Sequence, residues 1–278
     1  MRAFLLRTLL AFTLVAPVSA APPAFVRQQG DFDALLHEHV RWNPAGTATV
    51  VDYQGFKNDR GRLRAFLAAA ARIDATRFTA WSLAERQAFL INVYNAATIE
   101  LVLTRYPALD SIKELGSLFS SAWARPFVSL LGEKRSLDDI EHRLLRGARD
   151  YRDVRIHFAV NCASIGCPAL RPEAYAGNRL ESQLDDQTRR FLRDRTRNGY
   201  DARAGVLRVS RLFDWYAGDF DRHAAGIAIF LSRHARELAL DKASIERLER
   251  GRLPIAYTTY DWSLNQVVPT NPRKVSRQ

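Results

Sequence analysis

Residues 88–103 read AFLINVYNAATIELVL and make up the longest apolar segment of the chain. Apolar side chains lie on nearly every side of a helix built from this segment, which is typical of a helix in the middle of a fold. Shortly before it, Ser82 is followed three residues later by Glu85, the pattern of a capping box at a helix N-terminus. We therefore predict a buried central helix whose first turn is capped by Ser82.

Two amides, Asn92 and Asn95, interrupt this apolar segment. They are three residues apart and so lie on one face of the helix. A buried amide without partners costs about 1–3 kcal/mol, so we expect both to be hydrogen-bonded. Two interpretations are open: the amides tie neighbouring loops to the central helix, or they line a binding site.

The stretch HFAVNCASIGCPAL begins at His157 and contains both cysteines of the chain, Cys162 and Cys167. The residues before Cys162 alternate between apolar and polar, which predicts a strand over residues 154–161 with His157 and Asn161 on one face. Cys162 would then point to the opposite face. It can meet His157 only if the backbone turns at Asn161.

Residues 1–20 have the pattern of a secretory signal peptide, with basic residues, an apolar run and the small residues Val18, Ser19 and Ala20. The apolar run is shorter than a membrane-spanning helix requires, so we expect no transmembrane segment after cleavage near Ala20. An uncleaved anchor is the alternative. We expect an exported protein, periplasmic or secreted, in which two cysteines are more often joined than free.

The remaining chain is long enough for one domain with a sizeable core, which we place at residues 31–267 between flexible segments at 21–30 and 268–278. A first short helix is expected over residues 32–40. The formal net charge is +11, but the basic residues alternate with acids, so we expect no nucleic-acid partner. An unknown ligand or an anionic envelope component is the expected partner.

A helix is predicted over residues 180–193, with arginines spaced four residues apart at its end. Arg189, Arg193 and Arg197 are expected to form a solvated face whose charges pair with neighbouring acids. A phosphate-binding patch is the alternative interpretation of the same spacing.

Five segments of the chain together resemble the family catalogued as domain of unknown function 547. They read FLINVYNAATI, SLDDIEHRLLR, RIHFAVNCASIGCPALR, SRLFDWYAGDF and YDWSLN. The resemblance runs from about residue 51 to residue 265, and it implies no activity because the family has no established one. It implies that the family's signature positions are occupied here by His157, Asn161, Cys162, Ser164, Cys167 and Pro168.

Three chemistries could use this signature. Cys162 and Cys167 could close a structural disulfide loop, worth about 2 kcal/mol in the loop-entropy model. Cys162 could be a nucleophile with His157 as its base, as in papain-like or transglutaminase-like hydrolases and acyl transferases. All three residues could bind a metal, but the H-x4-C-x4-C spacing matches no standard zinc pattern. Ser164 lacks the GxSxG turn of a serine nucleophile. We assign neither a metal nor a cofactor.

The sequence therefore predicts an α+β fold, a mostly helical single domain with a small β-sheet around the buried central helix. The sheet is expected to contain the strand at residues 154–161. Our hypothesis is that the signature residues and the two amides of the central helix converge on one pocket. Its candidate catalytic residues are Cys162 and His157, and its candidate binding residues are Asn92, Asn95, Asn161 and Ser164.

Two functions are open for such a protein. The leading interpretation is a structural or binding domain in which a Cys162–Cys167 disulfide lies next to a polar pocket. The alternative is a cysteine-dependent hydrolase or acyl transferase that uses Cys162 and His157.

Overall fold

The central helix spans Leu83–Leu103 in the computed structural model of the chain, which describes residues 23–116, 121–147 and 152–267. Ser82 Oγ accepts a hydrogen bond from the backbone N–H of Glu85, and the Glu85 carboxylate accepts one from the backbone N–H of Ser82 at 2.9 Å. Every side chain from Gln87 to Ile99 is buried. The predicted buried helix and its capping box are confirmed.

Most of the regular structure is helical. The α-helices are Pro23–His39, Tyr53–Asn58, Arg60–Ala71, Ala75–Thr79, Leu83–Leu103, Leu180–Arg193, Leu212–Trp215, Ala217–His223, Ile227–Arg233, Ala235–Leu238 and Lys242–Glu249. The 3-10 helices are Ile112–Leu115, Ala122–Ala124, Val154–Phe158 and Gly177–Arg179, and Asp139–Leu145 is a π-helix. The helix predicted over residues 180–193 is confirmed as Leu180–Arg193.

The strands are short and form three small sheets within the described residues. Two are antiparallel pairs, Val40–Trp42 with Thr49–Val51 and Val128–Leu130 with Glu133–Arg135. In the third, Val206–Val209 lies between the antiparallel Gly199–Asp201 and the parallel Ile255–Tyr257, with Leu207 opposite Tyr200 and Ile255. The predicted fold class, α+β and mostly helical with small sheets, is confirmed.

The first helix begins earlier than the sequence indicates. It spans Pro23–His39, so it includes most of the segment that was expected to be flexible. Gln29 Nε2 donates to the carbonyl oxygen of Tyr175 at 3.2 Å, and Asp33 Oδ1 accepts from the N–H of Ala174 at 2.7 Å. These contacts are made with residues far along the chain, so a local pattern does not reveal them.

The predicted signal peptide at residues 1–20 and the predicted tail at residues 268–278 lie outside the described residues. Across the described ranges, no helix combines the length and the apolar character needed to cross a membrane.

The strand predicted over residues 154–161 is wrong. Val154–Phe158 is a 3-10 helix, and the Asp153 carboxylate caps it by accepting a hydrogen bond from the N–H of Arg155 at 2.9 Å. Apart from Arg155, every side chain from Val154 to Asn161 is buried. The alternation of apolar and polar residues therefore does not separate a core face from a solvent face, which is the condition under which it indicates a strand.

Asn95 holds the residues after this 3-10 helix against the central helix. Its Nδ2 donates to the carbonyl oxygen of Ala159 at 3.0 Å, and its Oδ1 accepts from the N–H of Asn161 at 2.9 Å. A neighbouring strand would satisfy the same two backbone groups, so the amide replaces a sheet ladder here. Asn92 binds the backbone N–H and carbonyl oxygen of Tyr175 in the same way, at 2.9 and 2.8 Å.

Two buried clusters of apolar side chains meet at the Val154–Phe158 helix. The cluster around the central helix includes Ile156, whereas Val154 and Phe158 belong to the second cluster. The Phe158 ring is surrounded by the rings of Phe191, Phe213, Phe220 and Phe230, at centroid distances of 5.1 to 6.5 Å. His157 lies between Ile156 and Phe158 in sequence and is therefore placed where the two clusters meet.

We predict that Asn95→Ala lowers the free energy of unfolding by about 2–6 kcal/mol. The substitution leaves the buried carbonyl of Ala159 and the buried N–H of Asn161 without partners, and each such group costs about 1–3 kcal/mol. Urea unfolding measures the change. Asn58→Ala is the matched control, because Asn58 is exposed and its side chain accepts one hydrogen bond, from Gln54. Equal losses in both variants would contradict the assignment.

Candidate functional site

The chain turns sharply at Asn161, directly after the segment held by Asn95. Asn161 Oδ1 accepts a hydrogen bond from the N–H of Ala163 at 2.9 Å, and its Nδ2 donates to the carbonyl oxygen of Pro168 at 2.7 Å. Ala163 has a φ of 64°, a conformation that a residue with a side chain keeps only where its surroundings enforce it. The turn that Cys162 needs in order to approach His157 is present.

A disulfide between Cys162 and Cys167 closes the loop after this turn, with the two Cα atoms 6.1 Å apart. The predicted pairing of the two cysteines is therefore present. The loop packs against the C-terminal part of the chain, where the N–H of Gly166 donates to the carbonyl oxygen of Asp261 at 2.8 Å. A Cβ atom at Gly166 would lie 2.9 Å from that oxygen, so the close approach requires glycine.

Arg197 fixes the far end of the loop. It was expected on a solvated helix face with Arg189 and Arg193, which are exposed, but Arg197 itself is buried. Its guanidinium donates to the carbonyl oxygen of Cys167 and binds the Asp194 carboxylate, with Nε at 2.9 Å. A buried guanidinium needs such partners, and here they come from the disulfide loop.

His157 is 2 % exposed. Its Nε2 lies 2.9 Å from Oδ2 of Asp219, and its ring stacks on the ring of Tyr216 at a centroid distance of 4.0 Å. An ionised carboxylate accepts hydrogen bonds and cannot donate them, so Nε2 carries the proton of the neutral imidazole. Nδ1 is then an acceptor, and it has no hydrogen-bond partner among the described residues.

Burial keeps the imidazole of this pair neutral. Burial lowers the pKa of His157 from its ordinary value of 6.5, against the hydrogen bond to Asp219, which acts to raise it. Burial also acts to raise the pKa of Asp219, but hydrogen bonds from His157 and Arg146 hold that pKa well below its ordinary value of 3.8. Arg146 Nε donates to Asp219 Oδ2 at 2.6 Å, and Arg222 donates to Oδ1. The pair is therefore a neutral base oriented by a carboxylate.

A cavity of about 250 Å³ opens beside His157 and Cys162. Two acidic residues line it, Asp138 and Glu141. Its aromatic walls are formed by Tyr94, Trp123, Trp215, Tyr216, Tyr260 and Trp262. Each of the five segments that carry the family resemblance supplies at least one of the lining residues. Because segments so far apart in the sequence converge here, the cavity is the candidate functional site.

The amides predicted to line a pocket are placed elsewhere. Asn92, Asn95 and Asn161 are not among the described residues that line the cavity, and both polar atoms of each amide are bonded to backbone groups. The structure therefore brings His157 and Cys162 to one cavity without the amides. Asn95 and Asn161 instead hold the backbone on either side of Cys162, whereas Asn92 binds the backbone of Tyr175, outside the lining.

Glu141 is buried at the wall of the cavity, at 5 % exposure. Its carboxylate accepts hydrogen bonds from Tyr94 Oη at 3.1 Å and from Tyr216 Oη at 2.5 Å. Burial raises the pKa values of both tyrosines well above the ordinary value of 10.0, so both hydroxyls stay protonated and donate. Glu141 belongs to the π-helix Asp139–Leu145, a wide helical turn that occurs often at functional sites.

Two hydroxyl groups lie against the sulfur of Cys162. Tyr260 Oη is 3.1 Å and Ser164 Oγ is 3.3 Å from Cys162 Sγ, and Ser164 Oγ also donates to Tyr260 Oη at 3.0 Å. Burial raises the pKa of Tyr260 to about 12, so its hydroxyl remains protonated at neutral pH. The predicted site residue Ser164 therefore contacts the sulfur of Cys162 but does not itself line the cavity.

Sequence reasoning did not single out Asp219, Glu141 or Tyr260. Each of the three lies in a segment that carries the family resemblance: Glu141 in SLDDIEHRLLR, Asp219 in SRLFDWYAGDF and Tyr260 in YDWSLN. The family resemblance could therefore have drawn attention to these three residues, but nothing in the sequence shows that they lie close to His157.

A separate cluster of possible metal ligands lies outside the cavity. Side-chain atoms of Glu38, His39 and Asp59 lie within 4.8 Å of one another. Arg62 donates to Glu38 at 2.8 Å and lies 3.7 Å from Asp59, so a guanidinium already compensates the two acids. We assign no metal to this cluster.

Comparison with known proteins gives one match. Residues 78–192 match the model of a family described as protein of unknown function, DUF547. Neither the curated proteins nor the solved structures contain a match. The matched range includes the central helix, His157 and both cysteines, whereas Asp219 and Tyr260 lie beyond it.

We predict that the free energy of unfolding falls as the pH is lowered from about 7.5 to about 5.5, and that His157→Gln reduces this dependence. The unfolded chain takes up a proton at His157 near the ordinary pKa of 6.5, whereas the folded chain keeps the ring neutral to lower pH. The contribution of His157 is therefore complete above 6.5 and is lost below it, with a slope of at most about 1.4 kcal/mol per pH unit.

Urea unfolding at a series of pH values measures this slope. His37→Gln is the control, because the His37 side chain is 60 % exposed. The prediction fails if His157→Gln keeps the slope of the unsubstituted protein.

Proposed function

We propose that the protein, whose residues 78–192 match the DUF547 model, is a cysteine-dependent hydrolase or acyl transferase. In this proposal Cys162 is the nucleophile, His157 is the general base and Asp219 orients the base. The observation that carries it is that His157, whose buried Nδ1 has no hydrogen-bond partner among the described residues, lines the same cavity as Cys162.

A structural histidine in a core has its ring nitrogens satisfied, because an unmatched buried acceptor costs free energy. His157 departs from this rule at the one nitrogen that Asp219 does not bind. Its lowered pKa supports the same role, since a base must be neutral at the pH at which it works. Burial, an orienting carboxylate and a neighbouring cavity are the features expected of a catalytic base.

The surroundings of Cys162 support a thiolate. Tyr260 donates a hydrogen bond toward Sγ, and Ser164 donates to Tyr260 behind it. Such a relay stabilises a negatively charged sulfur more than the neutral sulfur of a disulfide. Within the described residues no helix begins at Cys162, so in this proposal the two hydroxyls and His157 stabilise the thiolate.

In the proposed reaction the disulfide form is a resting state. A thiol reductant converts Cys162 and Cys167 to two thiols and is itself oxidised to a disulfide. His157 Nδ1 then takes the proton of Cys162, and the thiolate forms a bond to the acyl carbon of the substrate. The leaving group departs with that proton. Water or an amine next attacks the thioester, which regenerates the Cys162 thiol and releases the acid or the amide.

The second candidate is a binding domain with a structural disulfide. It is favoured by the disulfide itself and by the contacts that Arg197 and Gly166 make with the same loop, which fix it on both sides. Under this candidate the cavity binds a ligand without covalent chemistry. The two candidates differ in whether Cys162 reacts.

Export is part of the proposal. Its support is the pattern of residues 1–20 together with a paired cysteine loop, which persists in oxidising compartments. The intact mass of the protein recovered from the producing cells tests both points, since cleavage near Ala20 and the loss of two hydrogens each change it by a defined amount.

We predict that, in a Cys167→Ser background, iodoacetamide alkylates Cys162 at neutral pH about tenfold faster than after the further change His157→Gln. The background leaves Cys162 as the single thiol of the chain, so no reductant is needed. About tenfold is the change that one unit of thiol pKa produces near neutral pH. Peptide mass spectrometry over time measures the rates.

His142→Gln in the same background is the matched control, because His142 also lines the cavity but is exposed. It should leave the alkylation rate unchanged. An unreactive Cys162, or one whose rate is indifferent to His157, would favour the binding domain. A rate that depends on His142 instead would overturn the assignment of the base.

A further inference from the structure

The cavity differs in charge from the rest of the protein. The chain has a formal net charge of +11, yet among the described residues that line the cavity there is no Lys or Arg. Asp138 and Glu141 supply carboxylates on neighbouring turns of one helical segment. In a cavity with low-dielectric walls, an acidic lining attracts cations and repels anions. The site is therefore complementary to a positive ligand.

The aromatic side chains add a second preference for a cation. Trp215, Tyr260 and Trp262 form one cluster, with ring centroids 4.4 to 5.6 Å apart. The electron-rich faces of such rings attract ammonium groups. Trp262 and Tyr216 already carry a cation of the protein, since Lys113 Nζ and the Arg146 guanidinium each lie 4.7 Å from the ring centre. Among the described residues no such cation lies over Trp215 or Tyr260, so these two rings are the ones open to a ligand.

The third observation is the unpartnered Nδ1 of His157. His157 lines the cavity, and its Nδ1 is a hydrogen-bond acceptor without a partner among the described residues, so a donor on the ligand would satisfy it. The carboxylates and the ring faces favour a positively charged ligand, and the imidazole acceptor favours one that can donate a hydrogen bond. We propose that the cavity binds a small alkylammonium group that also carries a hydroxyl or N–H donor.

This inference deepens the proposed function by naming the substrate class, and it rests on that function only in using the same cavity. The binding itself requires no thiol chemistry, so it is measured with the disulfide intact. A saccharide is the other ligand that aromatic rings and carboxylates can bind, and it is tested beside the ammonium.

The test compares choline with 3,3-dimethyl-1-butanol, which has the same shape and hydroxyl but no charge. Three of the five tryptophans line the cavity, so tryptophan fluorescence of the full chain reports binding, and calorimetry confirms it. We expect choline to bind about tenfold more tightly than the alcohol, a difference of about 1.4 kcal/mol, which is within the range of a partly desolvated cation–π contact. Glucose is expected to give no saturable change.

Two variants locate the ligand. Asp138→Asn removes one carboxylate of the cavity without disturbing a helix cap, since the Asp138 side chain makes no capping hydrogen bond. Trp215→Leu removes a ring that is 45 % exposed. Each should weaken choline binding by about threefold to tenfold. Glu249→Gln makes the same change of charge at an exposed residue outside the lining, and it should leave the affinity unchanged.

The inference is overturned if choline and the alcohol bind equally, if neither binds, or if Glu249→Gln weakens binding as much as Asp138→Asn. Saturable binding of glucose in place of choline also overturns it. If choline fails to bind while Cys162 retains its dependence on His157, the substrate class is wrong and the proposed function stands. If choline binds but Cys162 is unreactive, the ligand class stands and the cysteine chemistry is wrong.

Discussion

The two hydrogen bonds between the Asn95 side chain and the backbone of Ala159 and Asn161 are the constraint on which the rest of the site depends. The central helix is apolar on nearly every side, so each of its two asparagines, Asn92 and Asn95, offers one defined position to a backbone that needs partners. Once residues 159 to 161 are bound there, the 3-10 helix before them and the turn after them have fixed positions. The positions of His157 and Cys162 follow.

The site lies where the two apolar clusters meet, and this explains how a histidine can be buried and still reach a cavity. Ile156 and Phe158 anchor the 3-10 helix in different clusters. His157 projects between them, with Tyr216 against one face of its ring and Asp219 at Nε2. The apolar surroundings remove water from the imidazole, whereas the polar groups at the meeting of the clusters orient it.

Local patterns predicted the parts of the fold that depend on local interactions. The capping box of Ser82, the buried helix and the helix Leu180–Arg193 were all evident in the sequence. The strand predicted over residues 154–161 is wrong because almost every side chain there is buried. The alternation of apolar and polar residues therefore does not mark one face toward the core and one toward solvent. Asp219 could not be predicted as the partner of His157, since the two are 62 residues apart and only the tertiary structure relates them.

Burial keeps the imidazole neutral next to a carboxylate, and the arginines beside Asp219 assist it. A lone buried carboxylate would stabilise the imidazolium ion and raise the pKa of His157. Arg146 and Arg222 both bind Asp219, so much of its charge is already compensated. Arg146 also acts on His157 directly and lowers its pKa. Burial then outweighs the pull of the carboxylate, and Asp219 orients the ring without protonating it. The arginines thus allow an acid–base pair to supply a base.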